Sequence, residues 1–223
     1  MPQVYRYDRN KLKFSQIYRR HGKLHLALLW AVARWLNVLP AASSAALTRP
    51  EGLKRLDPKE APEDARRALG PALAEAAAAG LRVIFHYAVL PEGALGAQEL
   101  QGSVLAGDDL RFWAVIGWVR FRRGTQVHTR TALKCRSRLD DGRILLTSSA
   151  RPVFDAPPEV WQLSIRDASP SKIIEAHLKR LAGIPIAKIV PVREDRLEYW
   201  LLRQMQETFD HLVSTGCLVP VSA

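Results

Sequence analysis

At Leu81 the spacing of apolar residues changes from three and four to two, and a period of two persists as far as Arg166. Runs of β-branched and aromatic side chains bounded by Gly, Asp and Pro clusters read as strands, here over residues 82–90, 103–106, 111–121, 126–136, 143–149 and 160–166. The connectors Arg122-Arg123-Gly124 and Asp140-Asp141-Gly142 are hairpin-length, and the second offers the Asp-Gly pair that a tight turn with positive φ prefers. Short connectors make successive strands antiparallel, which predicts a meander of five to six strands.

Helical patterns flank this block. Pro62-Glu63-Asp64 places proline and acids in a first turn, and the alanine-rich run stops at Gly80, with Gly70-Pro71 predicting two short helices or one bent one. Ser169-Pro170 reads as an N-cap and first helical position, followed by a stripe of Ile173, Ile174, Leu178 and Leu181 and a stop at Gly183. Leu197, Trp200, Leu201, Met205, Phe209, Leu212 and Val213 then mark one face of a long helix ending at Gly216. The expected fold class is α+β, an antiparallel meander packed against flanking helices with a basic amphipathic helix at the N-terminus. The expected divisions are an N-terminal helical segment over 1–39, a linker over 40–51, an α+β domain over 52–190 and a C-terminal helix over 191–216.

Residues 24–39, LHLALLWAVARWLNVL, are apolar apart from His25, Arg34 and Asn37. Sixteen residues fall short of the roughly 20 that cross a bilayer, and Arg34 sits in their interior. At 100° per residue, Arg20, Lys23 and Arg34 share one narrow edge, while Trp30, Trp35 and the leucines fill the rest. This pattern suits a helix lying in the interface plane, its cations on anionic headgroups and its indoles at the acyl boundary. Membrane contact through Arg20, Lys23, Trp30, Arg34 and Trp35, at the cytoplasmic side, is the leading expectation. A single span, a cleaved signal, and docking on the chain's own domain as a soluble cytoplasmic protein stay open beside it.

The chain carries a net charge of +11, unevenly spread: residues 1–39 hold net +7, residues 110–139 hold net +8, and the remainder is acidic. Clustered cations attract polyanions, which excludes neither lipid nor nucleic acid. Alternation along residues 126–138 predicts a cationic face of His128, Arg130, Lys134, Arg136 and Arg138, extended by Arg120 and Arg122 of the preceding strand. Basic side chains interleaved with Phe112, Trp113, Trp118 and Phe121 suit phosphates and stacked bases, and equally lipid headgroups or plain solvation. Trp113, Trp118 and Trp161 are the candidates for lining a small-molecule pocket between sheet and helices.

No residue set reaches a catalytic or cofactor signature. Cys135 and Cys217 are too few for a disulfide framework or a zinc site, and His21 and His25 lack further ligands nearby. No phosphate-binding glycine loop and no Gly-x-Ser-x-Gly elbow occurs, and adjacent Asp210 and His211 would diverge on a helix. The expectation is a module that is not an enzyme, with no cofactor or metal assigned, and an oligomeric state the sequence leaves open.

Overall fold

The computed structural model describes residues 3–8, 11, 13, 15, 16, 18, 24–35, 47–91, 99–123, 125–150, 152 and 154–221. In chain order they form β1 (Val4–Tyr7), α1 (Leu24–Trp35), β2 (Leu47–Thr48), β3 (Gly52–Leu56), α2 (Glu63–Ala78), β4 (Arg82–Leu90), β5 (Glu99–Ala106), β6 (Trp113–Arg123), β7 (Gln126–Leu139), β8 (Ile144–Ser148), β9 (Val160–Ser164), α3 (Pro170–Ala182), β10 (Ile189–Val190), α4 (Leu197–Ser214) and β11 (Leu218–Pro220). The fold is α+β, built on a large, mostly antiparallel sheet of eight strands.

That sheet runs β3-β4-β5-β6-β7-β8-β9, with β10 paired to β7. All pairs along it are antiparallel except β8 with β9. In that pair β9 runs in the direction of β8, with Ile144 beside Val160 and Ser148 beside Ser164. All six strands read from the period-two pattern are present, and β3 adds an edge through a register of Gly52 with Leu90 and Leu56 with His86. β6 begins at Trp113 rather than residue 111 because Leu110 adopts a φ of 52° and the Asp109 carboxylate takes the Arg111 N–H.

Helices cover both faces. On one, Ala65, Leu69 and Ala76 of α2 and Ile173, Ile174 and Leu181 of α3 pack with Leu105, Ala114, Ile116, Trp118, Leu133 and Leu145. On the other, Leu197 and Leu201 of α4 pack with Phe85, Tyr87, Val104, Trp113 and Val115. α2 is one helix with Pro71 inside it. It closes through paired bonds from Gly80 N–H to Ala77 and from Leu81 N–H to Ala76, a Schellman arrangement that needs the φ of +83° at Gly80.

Two readings change. In α3 the buried stripe is Ile173, Ile174, His177 and Leu181, whereas Leu178 is exposed, because the sheet meets the helix one residue earlier in its turn. Residues 1–39 are also not helical throughout: β1 pairs with β11 and β2 in a small antiparallel sheet, joining both ends of the chain to part of the expected linker. Its apolar side, Leu47, Leu218, Tyr5 and Tyr7, packs on Phe209 and Leu212 of α4.

Candidate functional site

α1 exposes an apolar face. Leu24, Leu28, Leu29 and Val32 are each more than half exposed, whereas Ala27 is fully buried and Ala31 half-buried. At 100° per residue the exposed four, with exposed His25 among them, cover about 140° of the helix, and the two alanines sit together just beyond. The edge that carries Ala27 and Ala31 is therefore the covered edge. Among the charges and indoles expected to line this helix, the side chains of Arg20, Lys23, Trp30, Arg34 and Trp35 lie outside the described ones. No helix among the described residues is long and apolar enough to cross a membrane.

The cationic strand does not present one flat face. Antiparallel register sets Arg120 opposite Thr129 and Trp118 opposite Thr131, so Arg120 lies on the α2–α3 side while His128, Arg130, Lys134 and Arg136 lie on the other. Arg120 is spent there on Asp64 of α2 and Glu99 of β5, and the first of these bonds raises its pKa. Register sets Arg122 opposite Val127, on the side of Arg120; its side chain is outside the described ones.

The remaining cations fall into three environments. Toward the hairpin end, His128 stacks on Phe121 with centroids 5.5 Å apart, and the Arg130 guanidinium lies 5.5 Å over the same ring. At the opposite end, Arg138 lies 3.6 Å over the Trp200 ring of α4, where burial and then Arg203 lower its pKa. Between them Lys134 and Arg136 are half-buried, with Arg136 5.0 Å over Trp113. Burial pushes Lys134 down to about 8, with neighbouring Arg136 adding to it, and pushes Arg136 down to about 10.

The three candidate pocket tryptophans do not converge. Trp113 is buried under α4, Trp118 is buried on the α2–α3 side, and Trp161 is 43% exposed near the edge with Arg143 3.7 Å over its ring. The strand parity of 113 and 118 separates them, so no cavity can take both.

A cleft of about 180 Å³ lies instead beside α2, walled by Leu56, Leu69 and Leu73, with His86, Gln101 and Ser103 at its polar side. His86 Nδ1 and Ser103 Oγ are 2.8 Å apart, cross-strand partners on β4 and β5. Burial lowers the His86 pKa, so the imidazole is neutral at pH 7. The sequence carried a signal for this pair only in its parity, since His86 alternates with Phe85 and Tyr87 onto the opposite side of β4.

Among the described residues no three or more His, Cys, Asp or Glu side chains could hold a metal ion. Cys135 is buried and its thiol pushed up to about 12, which leaves no thiolate at neutral pH. Asp210 is held by Arg49 through bonds of 2.8 and 2.7 Å. No family model, no curated protein and no solved structure matches this chain.

Proposed function

We propose that this protein is a membrane-surface module in which α1 lies in the interface of an anionic, cytoplasm-facing leaflet. One observation carries the reading. Leu24, Leu28, Leu29 and Val32 form one exposed apolar face, whereas among the leucines of α2, α3 and α4 Leu178 alone is exposed. A face of this kind, next to a leader rich in Arg and Lys, suits shallow burial of the leucines with the cations reaching headgroup phosphates. Charge selects the surface and leucine burial holds the protein there. The role is binding and positioning; nothing in the reading requires catalysis.

Vesicle cosedimentation of the full chain tests it, using phosphatidylcholine with and without phosphatidylserine. Wild type pellets with the mixed vesicles and stays in the supernatant with phosphatidylcholine alone. Leu28→Glu with Leu29→Glu removes two leucines worth about 1 kcal/mol or more each at partial burial, so binding falls by about tenfold or more. Because both side chains are already exposed, the melting temperature stays unchanged. Equal pelleting of wild type and double variant overturns the reading.

A second reading, single-stranded nucleic acid, is favoured only by the Phe121, His128 and Arg130 stack at the outer end of β6 and β7. It predicts that affinity for a fluorescent oligonucleotide falls steeply with added salt and drops about fivefold or more in Arg130→Glu, since a phosphate contact and a stacking partner are lost together. Affinity indifferent to both removes this reading.

A further inference from the structure

On the α4 side of the sheet, Lys134 and Arg136 stand two residues apart on β7 and project the same way. Both are half-buried, and no ion pair or hydrogen bond joins either side chain to another described residue. Arg136 Nη1 is sealed from solvent without a partner. So is the indole Nε1 of Trp113, directly across on β6 and beneath the Arg136 guanidinium. The buried Tyr87 hydroxyl, which lies over Gly102 two strands away, keeps its proton because burial disfavours the phenolate.

Arg136 Nη1 and Trp113 Nε1 are buried donors without a partner, the Lys134 ammonium can only donate, and the unpartnered buried acceptor on α4 is the neutral amide oxygen of Gln204. The surroundings offer no counter-charge. Across from Arg136 and Lys134 on β8 are Leu146 and Ser148, the sheet beyond presents Val115, Val104 and Phe85, and α4 presents Leu197 and Leu201. The indole face under Arg136 offsets part of its desolvation but leaves the N–H groups unused. Two adjacent half-buried cations with unspent donors and no carboxylate are a costly arrangement for an empty protein, and a matched one for a bound oxyanion.

We propose that Lys134, Arg136 and the Trp113 N–H form a binding site for a phosphate group, carried by a small phosphate monoester or by a lipid headgroup. Arg138, the third cation on this side of β7, lies over Trp200 and is offset by Glu207 of α4, so the charge count for Lys134 and Arg136 selects phosphate over carboxylate. A phosphate monoester carries about −1.5 to −2 at neutral pH, which balances two cations, whereas one carboxylate leaves a surplus positive charge. Lys134 and Arg136 are then held fully charged by the ligand, against the burial that draws both pKa values down.

The test is thermal unfolding of the full chain in glycerol phosphate against sodium chloride at equal ionic strength. Wild type melts about 5 °C higher with saturating glycerol phosphate than in the chloride control. Arg136→Met loses that rise and, without phosphate, melts at or above the wild-type temperature, because the uncompensated cation is gone; Lys134→Met behaves alike. The Leu28→Glu, Leu29→Glu double variant keeps the rise, which separates this site from the α1 reading. A second arm compares vesicles containing phosphatidic acid with vesicles containing phosphatidylglycerol, whose phosphate is a diester. A preference for phosphatidic acid lost in Arg136→Met, with no response to glycerol phosphate, assigns the lipid as source. No response in either arm overturns the site, as does a phosphate response that survives in Arg136→Met.

Discussion

Lowering the pH from about 6.5 to 5.5 destabilises this protein before its carboxylates begin to protonate, and replacing His177 removes most of the effect. His177 of α3 is fully buried against the sheet, with Nε2 3.0 Å from Ser137 Oγ and Nδ1 3.0 Å from Thr147 Oγ1. Thr147 Oγ1 also accepts from Arg180 at 2.9 Å, which frees its own proton for Nδ1 and assigns the remaining ring proton to Nε2, donating to Ser137. A second ring proton would force the Thr147 hydroxyl to turn its own proton away, and would put a buried charge beside the Arg180 guanidinium. Burial and then Arg180 accordingly draw the His177 pKa down to about 3.

The sign follows from linkage. Above about pH 6.5 both folded and unfolded His177 are neutral, and stability is at its full value. Below it the unfolded state takes up a proton that the folded state refuses, so stability falls continuously toward pH 3, by on the order of 4 kcal/mol over the whole window. Asp64, Asp141, Glu194 and Asp210 have pKa values lowered by arginine partners, so their contributions are present at pH 5 and are lost only below the ordinary carboxylate range. His86, half-buried on Ser103, adds a smaller slope of the same sign. Denaturant unfolding between pH 7 and 5.5 checks this. In His177→Asn most of the slope disappears, and the variant is less stable than wild type at pH 7 by about 2 kcal/mol through lost packing and an imperfect bridge between Ser137 and Thr147. Parallel pH curves for the two proteins defeat the assignment.

The same histidine marks the limit of what periodicity discloses. The stripe on α3 was legible as apolar positions, and a polar residue at 177 fell outside it although the neighbouring turn placed Leu178 outward. Its partners Ser137 and Thr147 come from two strands whose register no sequence pattern specifies. Strand positions were readable because alternation and turn residues are local properties; Asp140-Asp141-Gly142 closes its turn with Gly142 at φ +84°. The cationic strand was readable along β7 but not across to β6. Arg120 counted as a neighbour of Arg130 in charge, yet an antiparallel pair reverses parity, and Arg120 sits opposite Thr129 on the other side. Long-range closure was invisible for a similar reason: β1 holds four residues of mixed polarity, and only its pairing with β11 and β2 makes it a strand.

Gly102 carries the second large effect, and its cross-strand neighbour Gly117 is the control. The two face each other on β5 and β6 on the α4 side, leaving a small-residue row that Tyr87 fills from β4. A Cβ at Gly102 would stand 2.6 Å from the Ile116 carbonyl oxygen and 2.8 Å from the Tyr87 hydroxyl. The carbonyl belongs to the central β5–β6 ladder and cannot recede without breaking cross-strand bonds, and Tyr87 is 1% exposed with nowhere to swing. Gly102→Ala therefore costs about 3 kcal/mol, the upper end of ordinary overpacking, and lowers the melting temperature by roughly 6 to 12 °C. At Gly117 a Cβ meets nothing nearer than the Gln101 carbonyl at 4.0 Å, so Gly117→Ala is neutral or stabilising by about 0.5 kcal/mol through reduced chain entropy in the unfolded state. Tyr87→Phe in the Gly102→Ala background relieves the 2.8 Å contact but not the 2.6 Å one, and recovers only part of the loss. Because the displaced phenol lies on the Lys134–Arg136 side of the sheet, Gly102→Ala also weakens the stabilisation by glycerol phosphate, whereas Gly117→Ala preserves it. Equal melting temperatures for the two alanine variants would show that the β5–β6 ladder yields where this packing says it cannot.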